Sequence, residues 1–195
     1  MRELVSKHWL YWTPCTLALV LVLAAGWLPG GLELVICPKD GGEPLVVVPF
    51  EPGERFTLHY IHSVDRAPVW EVHTIDQRGN IYIEEERFVM FGAGMGHWPG
   101  HGTLTSRGPY QVIENMHAPI GEFVLRVGGR DVDHTIIWRE KPLYLSRLAP
   151  GRAVLISARP MSLLQRLWRR RSGIPDWALT LADCRLRIRD WEDAE

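Results

Sequence analysis

The chain has 195 residues, enough for one domain of ordinary size with short appendages. Its hydrophobic fraction of 46% excludes a disordered chain, and its formal net charge of -1 gives no general attraction to nucleic acid. Three cysteines are too few for a scaffold stabilised by disulfides. Cys37 and Cys184 flank the folded region, where either a disulfide or two free thiols would fit.

The N-terminal segment is an uncharged apolar run that lies between His8 and Glu33. Its central part, Trp9 to Leu28, contains about 20 residues, the length of a helix that crosses a bilayer. Aromatic residues at both ends and two basic residues before the run indicate a cytoplasmic N-terminus with the rest of the chain outside. We predict a cytoplasmic stub and a single-pass membrane anchor over residues 1–31. A cleaved signal peptide is the alternative.

The body of the chain, residues 32–158, reads as an extracytoplasmic β domain. Short apolar segments recur there at near-regular spacing, separated by turns rich in Gly, Pro and Asp. This pattern is typical of an all-β fold, an antiparallel sandwich or a partly open barrel. The predicted strands are 32–37, 45–49, 56–62, 69–75, 81–91, 110–113, 123–127, 132–138, 143–148 and 153–157. Strands 123–127 and 132–138 are expected to form a hairpin, and the rest of 97–119 a long loop.

The central stretch, Phe56 to Gly96, carries the residues by which the chain can be recognised. Its motifs are His62-Ser63-Val64, Pro68-Val69-Trp70-Glu71, Arg87-Phe88 and Phe91-Gly92-Ala93-Gly94. With these motifs the chain resembles the domain of unknown function 1850 family over roughly residues 32–157. The resemblance implies an association with TAXI-type tripartite (TRAP) secondary transporters, whose genes lie beside those of the family. It implies no catalytic residues, because the family has none assigned.

Histidines and carboxylates are the candidates for chemistry. Glu71 and His73 share one face of a strand and, with His97 and His101, make a conceivable zinc or copper site. That site is not favoured because no dense motif such as H-E-x-x-H is present, and scattered histidines more often serve packing. We predict no cofactor.

Catalysis is not favoured either. His62 and Ser63 are adjacent, but neighbouring strand residues point apart, and a nucleophile and its base must lie within hydrogen-bond reach. The simpler interpretation is a His62–Glu71 hydrogen bond across two strands, with Arg87 as the other partner considered for Glu71. We predict no catalytic residues.

The glycine-rich motif is interpreted as a tight turn. Gly92 and Gly94 would cradle a phosphate only if they opened a helix, and the His97-Trp98-Pro99 sequence that follows does not begin one. We expect the turn to position Trp98.

The C-terminal part, residues 159–195, differs in composition. Met161 to Arg171 predicts a basic helix that would lie on a membrane surface, dock to a protein or remain solvated. Leu179 to Arg189 is a candidate last strand.

These features lead to two functional hypotheses. In the first, the protein is a membrane-anchored accessory subunit of a TAXI-type TRAP transporter. Its β domain contacts the transporter membrane subunit or the substrate-binding protein; the protein also contacts membrane lipid, and no nucleic acid is expected as a partner. In the second, the domain is a periplasmic small-molecule or metal-binding module that uses the region rich in His, Glu and Gly; an enzyme ranks third. The partner-binding or pocket candidates are His62, Ser63, Arg66, Trp70, Glu71, Gly92, Gly94 and Trp98.

Overall fold

The computed structural model describes residues 3–89 and 101–172, without the side chains of residues 3–13, 15 and 169–172. This part of the chain forms three helices and twelve strands. The helices are α1 (Glu3–Trp27), α2 (Leu145–Leu148) and α3 (Leu163–Ser172). The strands are β1 (Pro29–Pro38), β2 (Val46–Phe50), β3 (Arg55–Ile61), β4 (Pro68–Ile75), β5 (Ile81–Phe88), β6 (Thr103–Arg107), β7 (Tyr110–Glu114), β8 (Ala118–Pro119), β9 (Phe123–Arg126), β10 (Thr135–Trp138), β11 (Lys141–Tyr144) and β12 (Ala153–Ser162).

Two antiparallel sheets make up the β domain. The smaller sheet has four strands in the order β2-β1-β12-β9. The larger sheet has eight, with β11-β10-β3-β4-β5-β7-β6 in one row and β8 paired to β5. Every strand pairing in the described residues is antiparallel. The predicted all-β, antiparallel class is therefore confirmed.

A single large core cluster joins the two sheets. The smaller sheet contributes alternate residues of β1, such as Leu34 and Ile36, and the larger sheet contributes Phe56 and Leu58 of β3. The alternation of side chains along a strand explains why one face of each sheet supplies these residues. The face of the larger sheet that meets this core is called the inner face below.

The predicted hairpin of 123–127 and 132–138 is wrong. β9 pairs with β12 in the smaller sheet, whereas β10 pairs with β3 and β11 in the larger one. Between the two strands, the carbonyl of Gly129 accepts hydrogen bonds from the amides of both Val132 and Asp133, which forms a local turn. The chain changes sheets there.

Two further predictions on loops and strands need correction. The region expected to be irregular contains β6, which pairs along its whole length with β7. The predicted strand 143–148 ends at Tyr144, and α2 replaces its second half. Leu145 and Ser146 are buried there, and the Ser146 hydroxyl donates to the carbonyl of Gly128 while it accepts from the amide of His134. The candidate strand 179–189 lies outside the described residues.

The N-terminal apolar run forms α1, which leads almost directly into β1. From residue 16 to residue 28, every side chain except that of Ala25 is exposed. Within residues 3–89 and 101–172, no helix combines the length and the apolar character that a membrane crossing requires.

The two ends of the predicted domain differ slightly from the observed strands. β1 already begins at Pro29, and β12 continues to Ser162, where α3 follows. Cys37 is buried on β1 and disulfide-bonded. Cys184, the partner considered for it in the sequence, lies outside the described residues.

Candidate functional site

The inner face of the larger sheet carries a polar group, formed by Tyr60 of β3, Glu71 of β4 and Glu86 of β5. Glu71 is directly opposite Leu58 on one side and Glu86 on the other. Because residues alternate along a strand, Tyr60 shares the face of Leu58. The register thus brings one phenol and two carboxyl groups together; the three residues are called the carboxylate site.

Within the carboxylate site, the Glu71 side chain contacts both Tyr60 and the neighbouring His73. The hydroxyl of Tyr60 donates a hydrogen bond of 2.9 Å to Glu71 Oε1. His73 Nε2 lies 3.7 Å from Glu71 Oε2, and the Glu71 side chain is 21% exposed. Burial raises the pKa of Glu71, although the bond from Tyr60 opposes this shift by stabilising the charged form.

Glu86 faces Glu71 across the strand pair. Burial, and secondarily the negative charge of Glu71, raises the pKa of Glu86 to about 7. Two carboxyl groups that are half-buried and directly opposite each other cannot both ionise without repulsion. The pair therefore retains a proton up to neutral pH.

His73 closes one side of the carboxylate site. Its ring is 1% exposed and stacks between those of Phe56 and Phe123, at centroid distances of 4.9 and 5.7 Å. Burial lowers its pKa to about 4, opposed by its hydrogen bond to the carbonyl of Glu71. A neutral imidazole at pH 7 gives Glu71 no compensating positive charge.

Apolar residues border the carboxylate site on two sides. On one side is the large core, and on the other a small cluster of Val69, Phe88 and Ile113. Tyr60 packs against both clusters and also lies 5.3 Å from the ring of His134. This setting is the physical reason that the carboxyl groups are desolvated.

Trp70 lies on the outer face, away from Glu71. Its ring contacts those of His59 and Tyr110, at centroid distances of 5.2 and 5.4 Å. Consecutive residues of a strand point to opposite faces, so Trp70 and Glu71 do not share one contact surface. The structure divides this pair of candidates between two faces.

The loop after β3 holds the remaining described candidates. His62 Nδ1 lies 2.9 Å from Asp65 Oδ2, so the predicted His62–Glu71 bond is wrong: His62 pairs within its own loop. Arg87, the other partner considered for Glu71, pairs with Glu85 instead. Arg66 has a positive φ of 54° and lies 3.5 Å from Asp131. Ser63 is exposed beside them.

The glycine-rich candidates Gly92, Gly94 and Trp98 lie outside the described residues, as does His97. Of the other histidines considered for a metal site, His73 is buried between two aromatic rings and His101 is exposed. Within the described part of the chain, no group of three or more His, Cys, Asp and Glu side chains is placed to hold a metal ion.

Sequence reasoning missed two members of the carboxylate site. Neither Tyr60 nor Glu86 is among the site residues predicted from the sequence, where Glu86 follows two other acidic residues, Glu84 and Glu85. The alternation of side chains along a strand could have indicated Glu86, because Glu86 lies two residues before Phe88 and therefore on the same face, and Phe88 is a residue expected in a core. A carboxylate on that face is a candidate for a raised pKa.

These observations define a class of protein: an antiparallel two-sheet β domain with an exposed N-terminal apolar helix and a desolvated carboxylate pair. Residues 56–145 match the model of the family described as Domain of unknown function (DUF1850). The resemblance seen in the motifs is thereby confirmed. Neither the curated proteins nor the solved structures contain a significant match to the chain.

Proposed function

We propose that this protein is a membrane-anchored accessory subunit of a TAXI-type TRAP secondary transporter. In this proposal α1 is a single-pass anchor in the bacterial inner membrane with its N-terminus in the cytoplasm. The β domain lies on the periplasmic side and contacts the transporter membrane subunit or its substrate-binding protein. The transporter association comes from the family resemblance, and the anchor from α1 itself.

The observation that carries the proposal is the exposed apolar surface of α1. Eight large apolar side chains between Leu17 and Leu28 are 50% to 91% exposed. Helices that are apolar on all sides require burial, in a protein interior or in lipid. In the sequence, the uncharged run from Trp9 to Leu28 contains about 20 residues, which as a helix would match the roughly 30 Å hydrocarbon core of a bilayer.

Membrane attachment is tested on the full-length chain expressed in a bacterial host. We expect the protein in the membrane fraction after alkaline carbonate washing, with the β domain digestible by protease only once the outer membrane is opened. A matched pair of variants, Leu19→Arg with Leu21→Arg against Leu104→Arg on β6, separates loss of the anchor from general damage. Extraction of the unaltered protein by carbonate would overturn the anchor.

The transporter partnership is tested by co-purification in mild detergent. A tagged chain is expressed together with the membrane subunit and the substrate-binding protein of a TAXI-type system. We expect at least one of them to co-purify with the tagged chain, and Arg66→Glu in the exposed β3–β4 loop to weaken that recovery. Arg126→Glu, an exposed residue of the smaller sheet, is the control. If neither subunit is recovered with the unaltered chain, the accessory role fails.

A second candidate is a periplasmic small-molecule or metal-binding module. The carboxylate site favours it, because desolvated titratable groups on one face are typical of binding sites. Elemental analysis of the purified full-length chain for zinc and copper tests the metal form. Stoichiometric metal would support this candidate, and its absence together with transporter co-purification would leave the accessory role.

A further inference from the structure

The C-terminal helix α3 is fixed in place by its first turn. The amide of Gln165 donates to Ser162 Oγ at 3.2 Å, and the amide of Ser162 donates to Gln165 Oε1 at 2.7 Å. This reciprocal pair is a capping box, which satisfies amides that a helix start leaves without partners. Because Ser162 is also the last residue of β12, the direction of α3 follows from the sheet.

Further contacts hold α3 beside the end of α1. The amide of Leu163 donates to the carbonyl of Leu28 at 2.8 Å. The guanidinium of Arg166 donates to the carbonyl of Gly30 at 2.8 Å and to Glu51 Oε1 at 2.7 Å. A Cβ at Gly30 would lie 2.3 Å from the carbonyl oxygen of Ser162, so only glycine permits this approach. α3 is thus positioned where α1 enters the β domain.

One side of α3 exposes apolar side chains. Leu164, Leu167 and Trp168, called the α3 stripe, are 39%, 51% and 55% exposed. Their spacing of three and four residues places them on one face of the helix. At the adjacent end of α1, Trp27 is 91% and Leu28 51% exposed. Exposed apolar side chains are therefore present both on α3 and at the end of α1 beside which α3 is held.

The charge of this segment is entirely positive. Residues 161–172 contain four arginines, at positions 166 and 169–171, and no acidic residue. A short helix with leucine and tryptophan on one face and several arginines has the composition of helices that lie in an anionic membrane interface.

We propose that the α3 stripe inserts into the anionic interface of the bilayer that α1 enters, as a second membrane contact of the protein. The proposal rests on the membrane anchor of the proposed function. With α1 alone the β domain would rotate freely about one tether. With α3 embedded as well, the plane of the β1–β12 pair is fixed relative to the membrane, and one side of the domain always faces away from it.

Photo-crosslinking on the full-length chain tests the proposal. Benzoylphenylalanine replaces Trp168, Leu104 or Leu21 in separate proteins, each reconstituted into phosphatidylcholine vesicles with and without phosphatidylglycerol. Position 104 is the exposed control on β6, and position 21 reports on α1. We expect lipid adducts at position 168 severalfold above those at 104, and an increase when phosphatidylglycerol is present. Arg169→Glu, Arg170→Glu and Arg171→Glu together should remove that increase.

The outcomes separate this proposal from the proposed function. Lipid adducts at position 21 with none above control at 168 would overturn the α3 contact and leave the anchor intact. Adducts from 168 to residues 173–195 or to a second copy of the chain would overturn it as well. Absence of lipid adducts at position 21 would instead overturn the anchor, whatever position 168 shows.

Discussion

Buried carboxylates are present in both sheets, and the two sheets accommodate them differently. In the smaller sheet, Glu33 is directly opposite Arg159 and accepts a bond of 2.8 Å from its Nε. In the larger sheet, Glu71 is directly opposite Glu86, another carboxyl group. Opposite charges across a strand pair stabilise a sheet and like charges destabilise it. In the smaller sheet each charge of the Glu33–Arg159 pair is compensated by the other. In the larger sheet the Glu71–Glu86 pair avoids repulsion only while one of the two carboxyl groups keeps its proton.

The strongest test of this contrast is Arg159→Ala. The side chains of Glu33 and Arg159 are 3% and 13% exposed, so the change leaves a buried carboxylate without its guanidinium. We expect the free energy of unfolding to fall by about 3–5 kcal/mol. Denaturant unfolding of the full-length chain in detergent, followed by tryptophan fluorescence, measures it.

A double variant provides the control for this first prediction. Glu33→Leu with Arg159→Met removes both charges while keeping side-chain volume, so it should recover most of the loss. If Arg159→Ala costs less than about 1 kcal/mol, the two carboxylate environments do not differ as described.

Glu86→Gln sharpens the comparison through its pH dependence. The pKa of Glu86 is about 7 in the folded chain against 4.5 in the absence of the fold, so the folded state holds the proton more tightly. Its stabilising contribution is complete below pH 4.5 and is lost as the pH rises to about 7. Relative to the unaltered chain, Glu86→Gln should therefore gain about 1–3 kcal/mol between pH 5 and pH 8, after allowance for partial exposure.

His73 must be considered when this pH profile is interpreted. Its pKa is lowered from 6.5 to about 4, so its contribution is lost as the pH falls through that interval, opposite in sign to Glu86. The two slopes oppose each other in the unaltered chain, and the informative quantity is the difference between variant and parent. Glu85→Gln, on the outer face, is the matched control and should leave that difference near zero. An equal difference for both variants would contradict the shared proton.

Tyr60→Phe gives a smaller effect on the same site. It removes the only hydroxyl that donates to Glu71 among the described residues, while the ring keeps its packing. We expect a loss of about 1–2 kcal/mol at pH 8, where Glu71 carries more negative charge, and a smaller loss at pH 5. Unfolding curves at the two pH values measure it, and Tyr144→Phe serves as control. A loss that is larger at pH 5 would reverse the assigned role of the Tyr60 hydroxyl.

Local patterns in the sequence predicted the strands better than their partners. Alternation located β3 and β4 and placed Glu71 beside His73 on one face, as observed. The pairing of β9 with β12 depends on residues about thirty positions apart, and no local turn signal encodes it. Strand β6 was missed because its sequence, Thr103-Leu104-Thr105-Ser106-Arg107, is mostly polar and exposed, as expected at a sheet edge.

The candidate site was only partly predictable for a related physical reason. Glu71 was identified, but the partners predicted for it were His62, across the neighbouring strand, and Arg87. The observed partner, Tyr60, is two residues earlier and lies within β3. His62 follows the end of β3 at Ile61 and pairs with Asp65 in the loop. Glu86 required the register of β4 against β5, including the irregularity between Val72 and His73, which tertiary structure sets.

The smallest expected effect comes from an exposed ion pair, which calibrates the other predictions. Arg107 and Glu114 pair across β6 and β7, with side chains 54% and 26% exposed. Water screens such pairs, and holding two long side chains in one geometry costs entropy. Arg107→Ala should therefore change the free energy of unfolding by no more than about 0.5 kcal/mol under the conditions used for Arg159→Ala. If the two arginine variants cost the same, burial does not determine what these ion pairs contribute, and the contrast between Glu33 and Glu71 loses its physical basis.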